Sequence, residues 1–142
     1  MLIKGIKFDD LNFDENFRAL KVYGHSKLAN ILFTRELAKR MYDCGVTVNA
    51  IHPGEIATGL GSQNGWVGKL LQLVMKSFLQ SPEKGARTSI YACVSPELEG
   101  VTGRYFSNCQ EIQPKEWATS DEAALQLWEI SEKLSGIVKK PS

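Results

Sequence analysis

Tyr23-Gly24-His25-Ser26-Lys27 sets a phenol and an ammonium four residues apart. On a helix that spacing projects both side chains from one face, about one turn apart. A free phenol has a pKa near ~10 and is a poor proton acceptor at neutral pH. An ammonium a few ångströms away stabilises the phenolate. The same ammonium donates hydrogen bonds to hydroxyls such as those of a ribose. One helical turn thus carries a proton-transfer group and the cation that tunes it. The spacing is also that of an ordinary surface pair, with a lysine extended along its own helix. The surrounding elements decide between the two.

From Val22 to about Tyr42 the pattern is helical, with Leu28, Ile31, Leu32 and Ala38 on an apolar stripe and charges opposite. Asp43-Cys44-Gly45 ends it, and Gly45 suits a left-handed cap. Val46-Thr47-Val48-Asn49-Ala50-Ile51-His52 is β-branched and uncharged, as expected of a strand covered on both faces in a parallel sheet. Pro53-Gly54 stops the strand, and Thr58 lies four residues past Gly54. In open α/β sheets ligands bind beyond the carboxyl ends of the strands. Gly54 permits close approach to the backbone, Thr58 offers a hydroxyl, and the loop offers free N–H groups. That set suits an amide or a phosphate of a dinucleotide, although Pro-Gly alone is also a plain turn.

The rest of the chain supplies the frame. Residues 1–20 are predicted as loop, with a strand-like piece at Ile6–Phe8. Trp66–Leu79 is an amphipathic helix, read either as a lid over a lipophilic substrate, a docking face, or a core-facing helix. Ser81-Pro82 starts another helix with an N-cap and a first-turn proline, and Pro96 lies beyond its end. Gly103–Ser107 is a short strand. Thr119 and Glu122 form a capping box for a last helix, which buries Leu127 and Trp128 and ends near Gly136; Lys139–Ser142 is a frayed tail. His25 is expected near the substrate mouth without a catalytic role, and His52 as a structural residue at the strand end.

The chain has 142 residues and is 43% hydrophobic, enough for one globular domain and too apolar for disorder. Its net charge of +1 provides no field for nucleic acid or anionic lipid, so no nucleic-acid partner is expected. Cys44, Cys93 and Cys109 are odd in number and widely spaced, which points to partly buried free thiols and a reducing compartment rather than disulfides or zinc. No apolar run reaches the ~18 residues of a membrane span, and Met1–Lys4 is too short and too quickly charged for a signal peptide.

"YGHSKLANILFTRELAKRM" followed by "GVTVNAIHPGEIATGL" resembles the short-chain dehydrogenase/reductase superfamily, nearest its retinol dehydrogenase-like group, which includes the WW-domain-containing oxidoreductase. The likeness continues through "SPEKGARTSIYACVSPELEGVTGRYFSNC" and "LWEISEKL", covering nearly all of residues 3–136. It implies an oxidoreductase that moves hydride between NAD or NADP and an alcohol or carbonyl, with a lipophilic substrate such as a retinoid or steroid. It makes Tyr23 the general acid/base. It makes Lys27 the ribose anchor that also favours the phenolate. It sets Pro53, Gly54 and Thr58 at the nicotinamide end, with the backbone of Ile56 facing the carboxamide.

Other parts of that family's pattern are missing. No Gly-x-x-x-Gly-x-Gly phosphate loop occurs, nor the Asn-Asn-Ala-Gly segment, nor the catalytic Ser, which by the group's spacing would fall just before Met1. Ser26 and Ser62 do not replace it. The expected fold is therefore α/β: residues 1–142 as a single partial domain, the C-terminal half of a doubly wound Rossmann-type parallel sheet without its N-terminal βαβ units. The residues that tell NAD from NADP belong to the absent half. Such a remnant exposes strand edges and apolar helix faces, so the isolated chain is expected to fold poorly, aggregate, or pair with another chain, including a homo-oligomer. Membrane association is expected only through a missing N-terminal anchor, with a cytoplasmic location otherwise and the endoplasmic reticulum membrane if that anchor exists. The competing reading is a catalytically incomplete fragment that serves as an interaction scaffold.

Overall fold

The computed structural model describes residues 5–15, 17–53 and 81–136. Gly54, Ile56, Thr58, the expected Trp66–Leu79 helix and the Lys139–Ser142 tail lie outside them. The described elements are α1 (Ala19–Arg40), β1 (Ala50–His52), α2 (Pro82–Val94), β2 (Tyr105–Ser107), β3 (Gln110–Glu111) and α3 (Asp121–Ser135). They make a mixed α/β structure whose small, partly parallel sheet has the strand order β1–β2–β3. The described residues fall into two compact units: 5–50, 100–105 and 113–136 form one, and 51–53, 81–99 and 106–112 the other.

The first unit is built on α1, a helix of 22 residues. Its apolar stripe is real: Leu28 and Leu32 are buried against Ala118, Ala124 and Leu127, with Ile6, Phe8, Ile31 and Trp117 packed around them. The seam between α1 and α3 is therefore the core of this unit. Met41 N–H caps the carbonyl of Leu37, a short 3-10 turn covers Tyr42–Cys44, and Gly45 follows at φ 67, the left-handed stop its type predicts.

The strand expected from Val46 begins only at Ala50. Val46 is 48% exposed, Ala50 and Ile51 are half-buried and His52 is exposed, so the expected cover on both faces is absent here. Just before β1 backbone and side-chain pairing alternate: Gly103 N–H donates to the Val48 carbonyl at 2.7 Å and Ala50 N–H to the Arg104 carbonyl at 2.8 Å, while side chains take the groups between. Thr102 Oγ1 accepts from Val48 N–H at 2.9 Å, Asn49 Nδ2 donates to the Val101 carbonyl at 2.7 Å, and Asn49 Oδ1 accepts from Arg104 N–H at 3.0 Å. Backbone groups bonded to side chains cannot also extend a ladder. Gly103 in this loop has φ +73, a left-handed conformation that glycine adopts without strain.

Ile6–Phe8 is not a strand. A turn follows it, with Asp10 N–H donating to the Lys7 carbonyl at 3.4 Å and Asp10 Oδ1 accepting from Asp14 N–H at 2.9 Å. The aspartate's local bonds favour turn over extended chain. At α3 the cap is Ser120, whose Oγ accepts from Ala123 N–H at 3.1 Å, one residue later than the expected Thr119. Thr119 is engaged backwards, donating to the Glu116 carbonyl at 2.9 Å. The helix stops at Gly136, φ 69, as its sequence predicts.

In the second unit, Ser81 caps α2 by accepting from Lys84 N–H, with Pro82 in the first turn, as expected. β2 and β3 form an antiparallel hairpin with Ser107 opposite Gln110. Its two turn residues, Asn108 and Cys109, both have positive φ (51 and 58), the geometry of a type I′ turn. Tyr91 stands edge-on to Phe106 at 6.2 Å. Contrary to the expectation of partly buried thiols, Cys44 and Cys93 are exposed and only Cys109 is half-buried.

Candidate active site

Tyr23 and Lys27 both lie in α1, in its second and third turns, and the helix brings them together. The Lys27 ammonium is 5.2 Å from the centroid of the Tyr23 ring. Tyr23 is 61% exposed and Lys27 is also open to solvent, so both polar ends face outward from the same side of the helix. Leu20, one turn earlier on that side, and Phe17 just before the helix are exposed as well. Leu20 thus sets an exposed apolar side chain next to the phenol. A phenol and an ammonium side by side are a donor set matched to the vicinal hydroxyls of a ribose, so the residues present fit the sugar end of a nucleotide cofactor.

The same turn disposes of its other polar residues differently. Ser26 donates to the Tyr23 carbonyl at 2.8 Å and is turned into its own helix. His25 faces inward. It is buried, edge-on to Phe13 with ring centroids 4.9 Å apart. Burial, and secondarily the charge of Lys21, lowers its pKa below the ordinary histidine value. A sequence signal for this was present: His25, Leu28, Leu32 and Glu36 recur at helical spacing, and all are buried.

Of the expected loop residues, Pro53 ends β1 and is exposed, in the second compact unit. Gly54, Ile56 and Thr58 fall outside the described residues. Among the described residues no group of three or more His, Cys, Asp or Glu could hold a metal ion, and no helix is long and apolar enough to cross a membrane.

A family model described as enoyl-(acyl carrier protein) reductase matches residues 12–107. Human (Homo sapiens) retinol dehydrogenase 14 is 47% identical over 137 residues, which are 94% of this chain and 41% of that protein. Mus musculus retinol dehydrogenase 12 is 40% identical, over 96% of this chain and 43% of that protein. The Homo sapiens WW domain-containing oxidoreductase is 42% identical, over 84% of this chain and 29% of that protein. The chain therefore spans less than half the length of these relatives. A crystal structure of an uncharacterized protein from Mycobacterium Paratuberculosis superposes with a TM-score of 0.65 at 26% identity, over 92% of this chain and 45% of that one. With the matched segment holding α1, its Tyr23–Lys27 turn, β1 and the start of the hairpin, the chain belongs to the short-chain dehydrogenase/reductase superfamily.

Proposed function

We infer that this chain supplies the proton-transfer side of an NAD- or NADP-dependent interconversion of an alcohol and a carbonyl. The observation that carries the reading is the pairing of Tyr23 and Lys27 on one open face of α1, 5.2 Å apart from ammonium to ring. Tyr23 Oη gives a proton to a carbonyl oxygen in reduction and takes one from a hydroxyl in oxidation. Lys27 Nζ, beside that ring, would donate to the ribose hydroxyls of a bound cofactor. A bound nicotinamide supplies or accepts the hydride. Pro53, Gly54, the Ile56 backbone and Thr58 would line its carboxamide end. Catalysis on this plan rests on holding a few polar groups in place rather than on covalent chemistry.

The substrate is lipophilic. Support comes from exposed Leu20 beside the phenol and from relatives named retinol dehydrogenases. In fold terms the 142 residues are one part of a doubly wound Rossmann-type domain.

The test is Tyr23→Phe, made in a longer form of the protein that carries a dinucleotide phosphate loop and turns over measurably, assayed by cofactor absorbance with NAD⁺ or NADP⁺ and long-chain or retinoid alcohols. The hydroxyl is open to solvent and its loss leaves the fold intact. Turnover should fall by roughly 10²–10⁴, the contribution of a positioned acid/base, while cofactor titration is unchanged. Equal turnover in the two proteins would refute the assignment.

A further inference from the structure

The N-terminus of α1 has little of its own to hold it. Its N-cap is Arg18, extended and making no side-chain cap, and no acidic residue lies in the first turn. A helix end without cap or compensating charge frays. From Ala19 to Gly24 no residue is buried; His25 is the first, at 8% exposed. The Tyr23–Lys27 turn therefore spans the point at which the helix is first gripped by the rest of the unit.

That grip is unusual in two ways. Phe13, which meets His25 edge-on, is itself buried and sits at φ 58, a backbone region an aromatic residue adopts only when its surroundings enforce it. His25 Nδ1 is buried without a hydrogen-bond partner. A phenylalanine would make the same kind of ring contact without an unmet nitrogen, so the contact with Phe13 alone does not call for histidine here. We propose that His25 is a positioning residue: as a neutral ring it clamps the 6–13 segment onto α1 and thereby fixes the turn that presents Tyr23 and Lys27. The proposal rests on the acid/base reading of that turn for its function, but the clamp is measurable without turnover.

The charges around the clamp make it one-sided. Lys21, on the same helix one turn earlier, is the cation His25 senses, and its ammonium also stands 5.9 Å from the centroid of the Phe13 ring. From the loop, Lys7 and Asp10 are spent on each other at 3.4 Å. A proton on His25 would add a second cation beside Lys21 with no acceptor at Nδ1. The folded-state pKa lies below the ordinary 6.5, so the clamp is at full strength above that value and is lost as pH falls through the depressed one.

Hydrogen exchange of the whole chain, corrected for intrinsic rates, tests this. At pH 7.5 His25→Ala should lose about tenfold protection in the amides of the Tyr23–Lys27 turn, while the seam further along α1 and α3 keeps its protection. His25→Phe should retain protection at pH 7.5 and also as pH falls below 6.5 through the depressed value, where the wild type loses it. Loss spread evenly over α1 and α3, or an acid loss as large in His25→Phe as in the wild type, overturns the proposal. If His25→Ala does not fold, the wild type against His25→Phe pH series decides alone. Activity separates the two readings: intact exchange behaviour with a Tyr23→Phe protein that still turns over would sink the proposed chemistry and leave the clamp standing.

Discussion

Arg40 ties two elements together, and removing it should cost more than an ordinary surface arginine. Its Nε donates to Glu36 Oε1 at 2.8 Å, one turn back on α1. Its guanidinium carbon lies 4.5 Å from the centroid of the Trp128 ring on α3, and that ring stacks on Phe33 at 5.1 Å. Glu36 is only 6% exposed. Arg40→Ala therefore leaves a buried carboxylate without its partner, which in a dry interior costs ~3–5 kcal/mol. The Arg40 side chain is 27% exposed, so water reaches the vacated space; discounting for that gives ~1–3 kcal/mol. The lost contact with the indole adds ~0.5–1 kcal/mol. The sum, ~1.5–4 kcal/mol, is a large share of the 5–15 kcal/mol typical of a domain.

Glu36→Gln keeps an oxygen for Arg40 and removes the charge, so it should cost under ~1 kcal/mol. In the double variant Arg40→Ala/Glu36→Gln no buried charge is stranded, and ~1–2 kcal/mol should return as coupling. Urea unfolding followed by circular dichroism reads these differences as shifts in midpoint at constant slope. A double variant no more stable than Arg40→Ala, or an Arg40→Ala within 0.5 kcal/mol of the wild type, would show that the carboxylate is hydrated and the ion pair is ornamental to the seam.

Two other outcomes follow from the same surfaces. Asp121, in the first turn of α3, accepts from Arg35 and Lys39 at 2.9 Å each, and the Lys39 bond, then the Arg35 bond, holds its carboxyl below the ordinary 3.8. The pair's stabilisation is thus present above that value and lost as pH falls through the depressed one. With Asp121 61% exposed, Asp121→Asn should cost only ~0.3–1 kcal/mol and flatten the salt dependence of unfolding near neutral pH; a cost that ignores salt would count against the ion pairs. Separately, Leu20, Ile90, Val94 and Leu134 are large and exposed, so the purified chain should self-associate with concentration in sedimentation velocity. A monodisperse monomer with a sharp thermal transition is the contrary result.

Features written in local chemistry were legible in the sequence. Gly45, Gly136 and Ser81-Pro82 are punctuation whose effect depends on one residue's backbone freedom or side-chain oxygen, and each does what its type predicts. Features that depend on a distant partner were not. Asn49 and Thr102, far apart in the chain, take some of the backbone groups ahead of β1 with their side chains. The Ser107–Gln110 hairpin was hidden because Cys109 occupies a turn position where glycine is the usual signal. Thr119 and Ser120 are both competent caps, and the preceding Glu116–Ala118 turn decides between them by engaging Thr119.

The candidate site shows the same division inside one helix. Leu20, Tyr23 and Lys27 recur at helical spacing on the open side, while His25, Leu28, Leu32 and Glu36 recur at helical spacing on the buried side. His25 is two residues from Tyr23, about 200° around the helix, so it cannot share the outward face. The chemistry of the first series is readable from residue types because a phenol and an ammonium need only each other. The second series gains meaning from what covers it: α3 at Leu28 and Leu32, and Phe13 at His25. An uncapped helix end holds its first turns through that second series. The outward pair is thus only as well placed as the inward residues are gripped, and a change at His25 should disturb Tyr23 more than a change at any exposed neighbour of Tyr23 itself.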